Sequence, residues 1–306
     1  NGGYNIYCTM DPKIQATIDK YYSNESNFLK NSKGVRAQSS ITIMDYNGHV
    51  VGISGGVGEK TGNRALNRAT SSPRQPGSSI KPITVYSLAL DQNLITYSSM
   101  LKDEPTMTIT NEKGQKVKWP KNAGGSTTNR NVTMTYALQR SYNTIPVQLT
   151  EKLGIEAVFN HAVNDMGIKN FVAPFKNADG TTEAGDHTYS SLALGGSYKG
   201  ITTLESCAAF ATFGNMGKYY EPTFYTKVTN HYGDVILDGE ANAKIAMAED
   251  TAVIMNHMLQ NVVNHGTGTS IRSYLPTMKV FGKTGTTDDS HNLWFAGGTP
   301  YYVASC

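Results

Sequence analysis

Strand-like sequence sits near the two ends of this chain, and helix-like sequence fills the middle. Ile41 and Ile43, then Val50, Val51 and Ile53, flank Asn47-Gly48. Alternating apolar residues around an Asn-Gly pair predict a hairpin over Ser39–Ile53. At the other end, Met278–Thr286, Leu293–Gly297 and Tyr301–Ser305 read as three strands with short turns. Helical patterns occupy Ser78–Asp91, 133–140, 145–153, 155–165 and 250–263. Thr202-x-x-Glu205 forms a capping box, and Leu204, Cys207, Ala208 and Ala211 follow at helix spacing. Two strands, many helices, then three strands predict an α+β fold in which one antiparallel sheet joins the chain ends.

Residues 1–37 read as a lead-in, and 38–306 as the main domain. Within the lead-in, Asp11-Pro12 opens a helix expected to reach about Lys30, because Asp caps well and Pro suits the first helical position. Residues 54–77 and 102–130 are polar and Gly-containing, and read as loop and irregular excursion.

A chain of 306 residues, 39% of them hydrophobic, can bury a sizeable core. The net charge of +3 is too small and too scattered to predict a nucleic-acid partner. Cys8, Cys207 and Cys306 are odd in number and far apart, which predicts neither a disulfide framework nor a metal cluster. Cys207, on the capped helix, is expected in the core. No apolar run reaches the roughly 18–20 residues that span a bilayer. The chain opens on polar residues and stops after an apolar run, so it reads as a piece of a longer protein, with any membrane anchor outside it.

Three short motifs run in order: Ser78-Ser79-Ile80-Lys81, Ser141-Tyr142-Asn143 and Lys283-Thr284-Gly285. Each has a decoy: Ser99-Met100-Leu101-Lys102, Ser290-His291-Asn292 and Lys60-Thr61-Gly62. Context chooses between them. A serine hydroxyl becomes a nucleophile only beside a base. Residues three apart on a helix share a face, so Lys81 can serve Ser78. Gly77 permits a sharp turn into the helix, and Pro82 falls in the first turn where a missing N–H costs little. To act as base, Lys81 must lose its proton, which burial and a neighbouring cation both favour. Ser99–Lys102 lacks this loop-to-helix context.

Lys283-Thr284-Gly285-Thr286 ends an apolar stretch and is expected on a strand bordering a site. There Lys283 supplies charge for a substrate carboxylate, the Thr284 and Thr286 hydroxyls donate to it, and Gly285 allows close backbone approach. Lys60-Thr61-Gly62 reads as surface loop. Ser141-Tyr142-Asn143 lies between two helices. Ser141 is placed to relay a proton and Asn143 to hold a peptide group, though both residues are also ordinary helix caps.

These strings resemble the penicillin-binding proteins and serine β-lactamases. The longer matches Arg74–Pro82, Leu192–Ser197, Gly266-Thr267-Gly268 and Gly282–Thr287 are similar to high-molecular-weight penicillin-binding proteins, and Tyr7–Gln15 to the start of the class A transpeptidase domain. The resemblance implies a five-stranded antiparallel sheet flanked by helices on both sides. It implies D,D-transpeptidation of peptidoglycan stem peptides through an acyl-enzyme on Ser78, with loss of D-Ala and covalent inhibition by β-lactam antibiotics. Backbone N–H groups of Ser78 and Thr286 would form the oxyanion hole. No metal or cofactor is implied. The location implied is the extracytoplasmic face of the bacterial membrane, with anchor and glycosyltransferase domain upstream. Relative to that family the chain is expected to lack a final C-terminal helix.

A serine β-lactamase would need a deacylating Glu in an ExxLN-type loop, and no such string occurs between Asn143 and Lys283. A D,D-carboxypeptidase or a non-catalytic β-lactam sensor remains as an alternative. A Ser-His-Asp hydrolase finds no GxSxG elbow, and His187 and His291 read as ordinary polar residues.

Overall fold

The computed structural model describes residues 3–60 and 62–306. A five-stranded antiparallel sheet brings the chain ends together. Its strands are β1 (Ile41–Met44), β2 (Val50–Ser54), β3 (Phe281–Thr286), β4 (Leu293–Gly298) and β5 (Val303–Ser305), in the spatial order β3-β4-β5-β1-β2. The β1–β2 turn is the expected one: Asp45 Oδ1 accepts from the N–H groups of Asn47 and His49, and Gly48 adopts φ +87.

Helices cover both faces. Successive strand residues point to opposite sides, so Thr42 and Ile43 separate the two layers. On the Thr42 side lies α2 (Thr203–Ala211), where Thr203 Oγ1 pairs with Thr42 Oγ1 and buried Cys207 Sγ reaches Thr42 O. The Thr202–Glu205 capping box forms as expected. On the other side lies α1 (Pro12–Ser23), capped by Asp11, with Ile14, Ile18 and Tyr22 in one stripe. A side chain at Gly52 of β2 would strike Ile14 and Ile18, so the strand carries none there. A cavity of about 520 Å³, lined by Ile14, Ile18, Ile43, Leu275, Val280 and Phe295, lies between α1 and this face, and no residue of the three motifs lines it. The long α3 (Glu249–His265) buries Ala252, Met255, Met258, Leu259 and Val262 at helical spacing and packs against β3.

Some expectations differ from the structure. The first helix stops at Ser23, not near Lys30, because Asn24 leaves helical geometry and its side chain caps a separate turn over Glu25–Asn27. Within the lead-in, Tyr4–Cys8 pairs with Tyr225–Asn230, which pairs with Val235–Asp238, a three-stranded sheet that the pattern did not signal. The 102–130 excursion contains a regular hairpin, Met107–Thr110 with Lys116–Trp119. It is tied off where Met100–Lys102 pairs with Asn131–Thr133. Ser78–Asp91 is helical as expected but changes pitch: 3-10 over Gly77–Ile80, π over Pro82–Tyr86, α over Ser87–Asp91.

Candidate active site

The nucleophile segment enters through a turn that only glycine fits. Gly77 has φ +52, and a β-carbon there would lie 2.5 Å from Thr286 O. The backbones of the Ser78 turn and the end of β3 are therefore in contact. Gly285 has its own packing reason: a β-carbon would meet Pro76 O at 2.1 Å. These two glycines let the loop carrying Ser78 seat against the strand carrying Lys283, though the residues are more than two hundred positions apart. Ser78 is half-buried, and its carbonyl accepts from the Lys81 N–H. Among the described residues no hydrogen bond engages Ser78 Oγ.

Lys81 and Lys283 are both fully buried. Lys81 Nζ donates to Ser141 O (2.9 Å), Tyr142 O (3.0 Å) and Asn143 Oδ1 (2.7 Å). Lys283 Nζ donates to Ser141 Oγ (2.8 Å) and Thr284 O (3.0 Å). Ser141 thus stands between two lysines distant in sequence, and it holds the left-handed φ of +58 to do so. Burial, and after it the charge of Lys283, push the Lys81 pKa well down. Its three oxygen partners oppose that shift, since an ammonium fills three acceptors and a neutral amine only two. Burial pulls Lys283 down to about 7.

Asn143 Nδ2 donates to Lys121 O at 2.7 Å, which turns Oδ1 towards Lys81 and leaves one amide hydrogen spare. Thr284 Oγ1 lies 2.6 Å from Thr267 Oγ1, so the Gly266-Thr267-Gly268 string meets the β3 motif. Thr286 is exposed at the end of β3.

The decoys lie elsewhere. Lys102 pairs with Glu104 at the surface, and Ser99 Oγ accepts from the Thr96 N–H. Ser290 sits in the turn between β3 and β4. Lys60 and Gly62 are exposed, and Thr61 lies outside the described residues. His187, read as an ordinary polar residue, packs on the Phe159 ring.

Two features escaped the sequence reading. Asp103, fully buried in the 102–130 excursion, reaches the site through Asn122 and Thr144. Ser87 Oγ, His161 Nε2 and Nδ1, and Asp165 Oδ2 form a hydroxyl–imidazole–carboxylate row with 2.9 Å links. Its only sequence signal was the His161–Asp165 spacing of four. Ser87 is wholly buried in the core, so its hydroxyl meets no substrate.

The model of the penicillin-binding protein transpeptidase domain matches residues 31–302. This chain belongs to that family. The transpeptidase domain is 38% identical to penicillin-binding protein 1A of Clostridium botulinum, strain Langeland, over all of this chain and 36% of that protein. It is 30% identical to penicillin-binding protein 4 of Bacillus subtilis, over 95% of this chain and 43% of that protein. The chain thus spans well under half the length of these curated relatives. In fold it is similar to the D,D-transpeptidase domain of a peptidoglycan glycosyltransferase from Eggerthella lenta. That match has a TM-score of 0.72 at 19% identity, and covers 99% of this chain and 78% of that one. It is also similar to penicillin-binding protein A of Mycobacterium tuberculosis in its imipenem acyl-enzyme complex. Here the TM-score is 0.74 at 17% identity, and coverage is 99% of this chain and 74% of that one. The transpeptidase domain accordingly has the five-stranded α+β architecture that its motifs imply.

Proposed function

We propose that this domain is a serine D,D-transpeptidase that crosslinks peptidoglycan stem peptides through an acyl-enzyme on Ser78. The observation that carries the reading is the meeting of two fully buried lysines at Ser141, against the turn that presents Ser78. A base with a lowered pKa beside a hydroxyl suits nucleophile activation. A second buried cation suits recognition of a terminal carboxylate.

In the acylation step Ser78 Oγ bonds to the carbonyl carbon of the penultimate D-Ala and gives its proton to Lys81. The negative oxygen is held by the N–H groups of Ser78 and Thr286. Collapse breaks the C–N bond, and a proton passes through Ser141 to the nitrogen of the departing D-Ala. Lys283, Thr284 and Thr286 hold the terminal carboxylate, the spare Asn143 amide hydrogen holds the peptide group, and Gly285 keeps the strand close. In the second step the amine of a neighbouring stem loses a proton and attacks the ester, and Ser78 recovers its hydrogen. A β-lactam follows the first step, and its opened ring stays on Ser78.

No metal or cofactor enters this chemistry. Residues 38–306 form the catalytic domain in this reading, with 1–37 leading in. The parent protein works at the extracytoplasmic face of the membrane, with its anchor and a glycosyltransferase domain elsewhere in the protein.

Intact mass after incubation with benzylpenicillin tests the reading. One penicilloyl adduct is expected, absent in Ser78→Ala; an adduct of equal yield in the variant refutes it. A stem-peptide substrate then separates the activities. Amine-dependent crosslinked product supports transpeptidation, while D-Ala release without it identifies a carboxypeptidase. Fast loss of the adduct indicates a β-lactamase, and a stable adduct without turnover indicates a sensor.

A further inference from the structure

We propose that Asp103 is a positioning residue for acylation, setting the orientation of the Asn122 amide so that it holds the Asn143 main chain where Asn143 presents its oxygen to Lys81. This rests on the reading of Ser78 and Lys81 given above.

Asp103 follows the Met100–Lys102 strand and is fully buried. Its Oδ1 accepts from Asn122 Nδ2 (2.8 Å) and Thr144 Oγ1 (2.6 Å), and its Oδ2 from the Thr128 N–H (2.7 Å). Burial alone would raise the carboxyl's pKa, but these hydrogen bonds outweigh it and hold the group ionised, below its usual range.

An ionised carboxylate only accepts. It therefore fixes which end of the Asn122 amide faces it: Nδ2 turns to Asp103 and Oδ1 turns away. That oxygen accepts from the Asn143 N–H at 2.7 Å and the Thr144 N–H at 3.4 Å. The Asn143 main chain is thereby held, while its own amide is oriented by Lys121 O, the residue preceding Asn122. Asn143 Oδ1 then meets Lys81 Nζ. Every donor along the path from Lys81 to Asp103 points the same way.

The need for such a clamp is local. Ser141, two residues before Asn143, is in the left-handed region, which costs a residue with a β-carbon about 1–2 kcal/mol. A strained backbone persists only where its surroundings over-determine it. The 102–130 excursion supplies that constraint through Asp103, Asn122 and Lys121.

The test compares benzylpenicillin acylation rates and thermal unfolding for wild type, Asp103→Asn and the swap Asp103→Asn/Asn122→Asp. Asp103→Asn sets an amide NH₂ against donors. Acylation is expected to fall roughly tenfold or more, since small misplacements of catalytic groups carry costs of this order. In the swap, residue 103 donates to a carboxylate at 122 that still accepts from the Asn143 N–H, and the rate is expected to recover most of that loss. A folded Asp103→Asn variant acylating at the wild-type rate overturns the proposal. So does a folded swap variant no faster than the single one. If Asp103→Asn does not fold, Thr144→Val, which removes one donor to the carboxylate, carries the test: a slowed rate supports the proposal and a wild-type rate overturns it. Absence of any adduct on wild type would instead overturn the reading of Ser78.

Discussion

Replacing Gly195 by Ala tests whether the position of Ser78 depends on close backbone packing. Gly195 ends the π turn Ser190–Leu194 with φ +80 and ψ +21. A β-carbon there would sit 2.1 Å from Gly77 O and 2.6 Å from Gly77 N and C. Relief to an ordinary contact of at least 3 Å requires about 1 Å of movement, and Gly77 precedes the nucleophile. The left-handed backbone costs alanine about 1–2 kcal/mol and the overpacking about 1–3. Their sum, about 2–5 kcal/mol, corresponds in a domain this large to a fall of roughly 3–8 °C in melting temperature. A shift of about 1 Å in the nucleophile lowers acylation by up to about 100-fold. Gly180→Ala is the control: its φ is +85, but nothing lies within 4 Å of the added carbon. It is expected to lose only the backbone cost of about 1–2 kcal/mol and to acylate normally. Differential scanning calorimetry and stopped-flow acylation by a chromogenic cephalosporin measure both quantities. Equal behaviour of the two variants would refute the argument.

Three further outcomes are expected. Lys283 titrates near 7 when folded and near its ordinary value of about 10.5 when unfolded. The unfolded chain therefore binds the extra proton in between, and stability rises with pH across that window. The gain is at most about 3 kcal/mol between pH 7.5 and 9.5, from about 1.4 kcal/mol per unit, and it is read as a shift in urea midpoint that shrinks in Lys283→Met. Ser87→Ala leaves His161 Nε2 without its partner and costs about 1–3 kcal/mol, yet the penicilloyl adduct forms unchanged; loss of the adduct would make the buried triad the reactive site. Glu205→Ala removes the capping box and the Glu205 bonds to the N–H and side-chain amide of Asn170, and lowers stability by about 2 kcal/mol in thermal melts without slowing acylation.

Local patterns carried much of this protein on their own. The Asn47-Gly48 hairpin, the Asp11 cap, the Thr202–Glu205 box and the terminal strands are short-range features, each decided by propensities and hydrogen bonds within a few residues. The strand–helix–strand order, with the resemblance, was enough for the α+β sheet. The ordered motifs singled out Ser78, Lys81, Ser141 and Lys283 over their decoys, and the fold brings Lys81 and Lys283 together at Ser141. Tertiary packing decided the rest. The pairing of Tyr4–Cys8 with Tyr225–Asn230 depends on partners far along the chain. Asp103 lay in a polar stretch with no period, where nothing local separates a buried carboxylate from a solvated one. The lowered pKa values of the two lysines arise because folding removes both from water at one place, and a desolvation cost of that kind belongs to the assembled interior and to no segment of sequence.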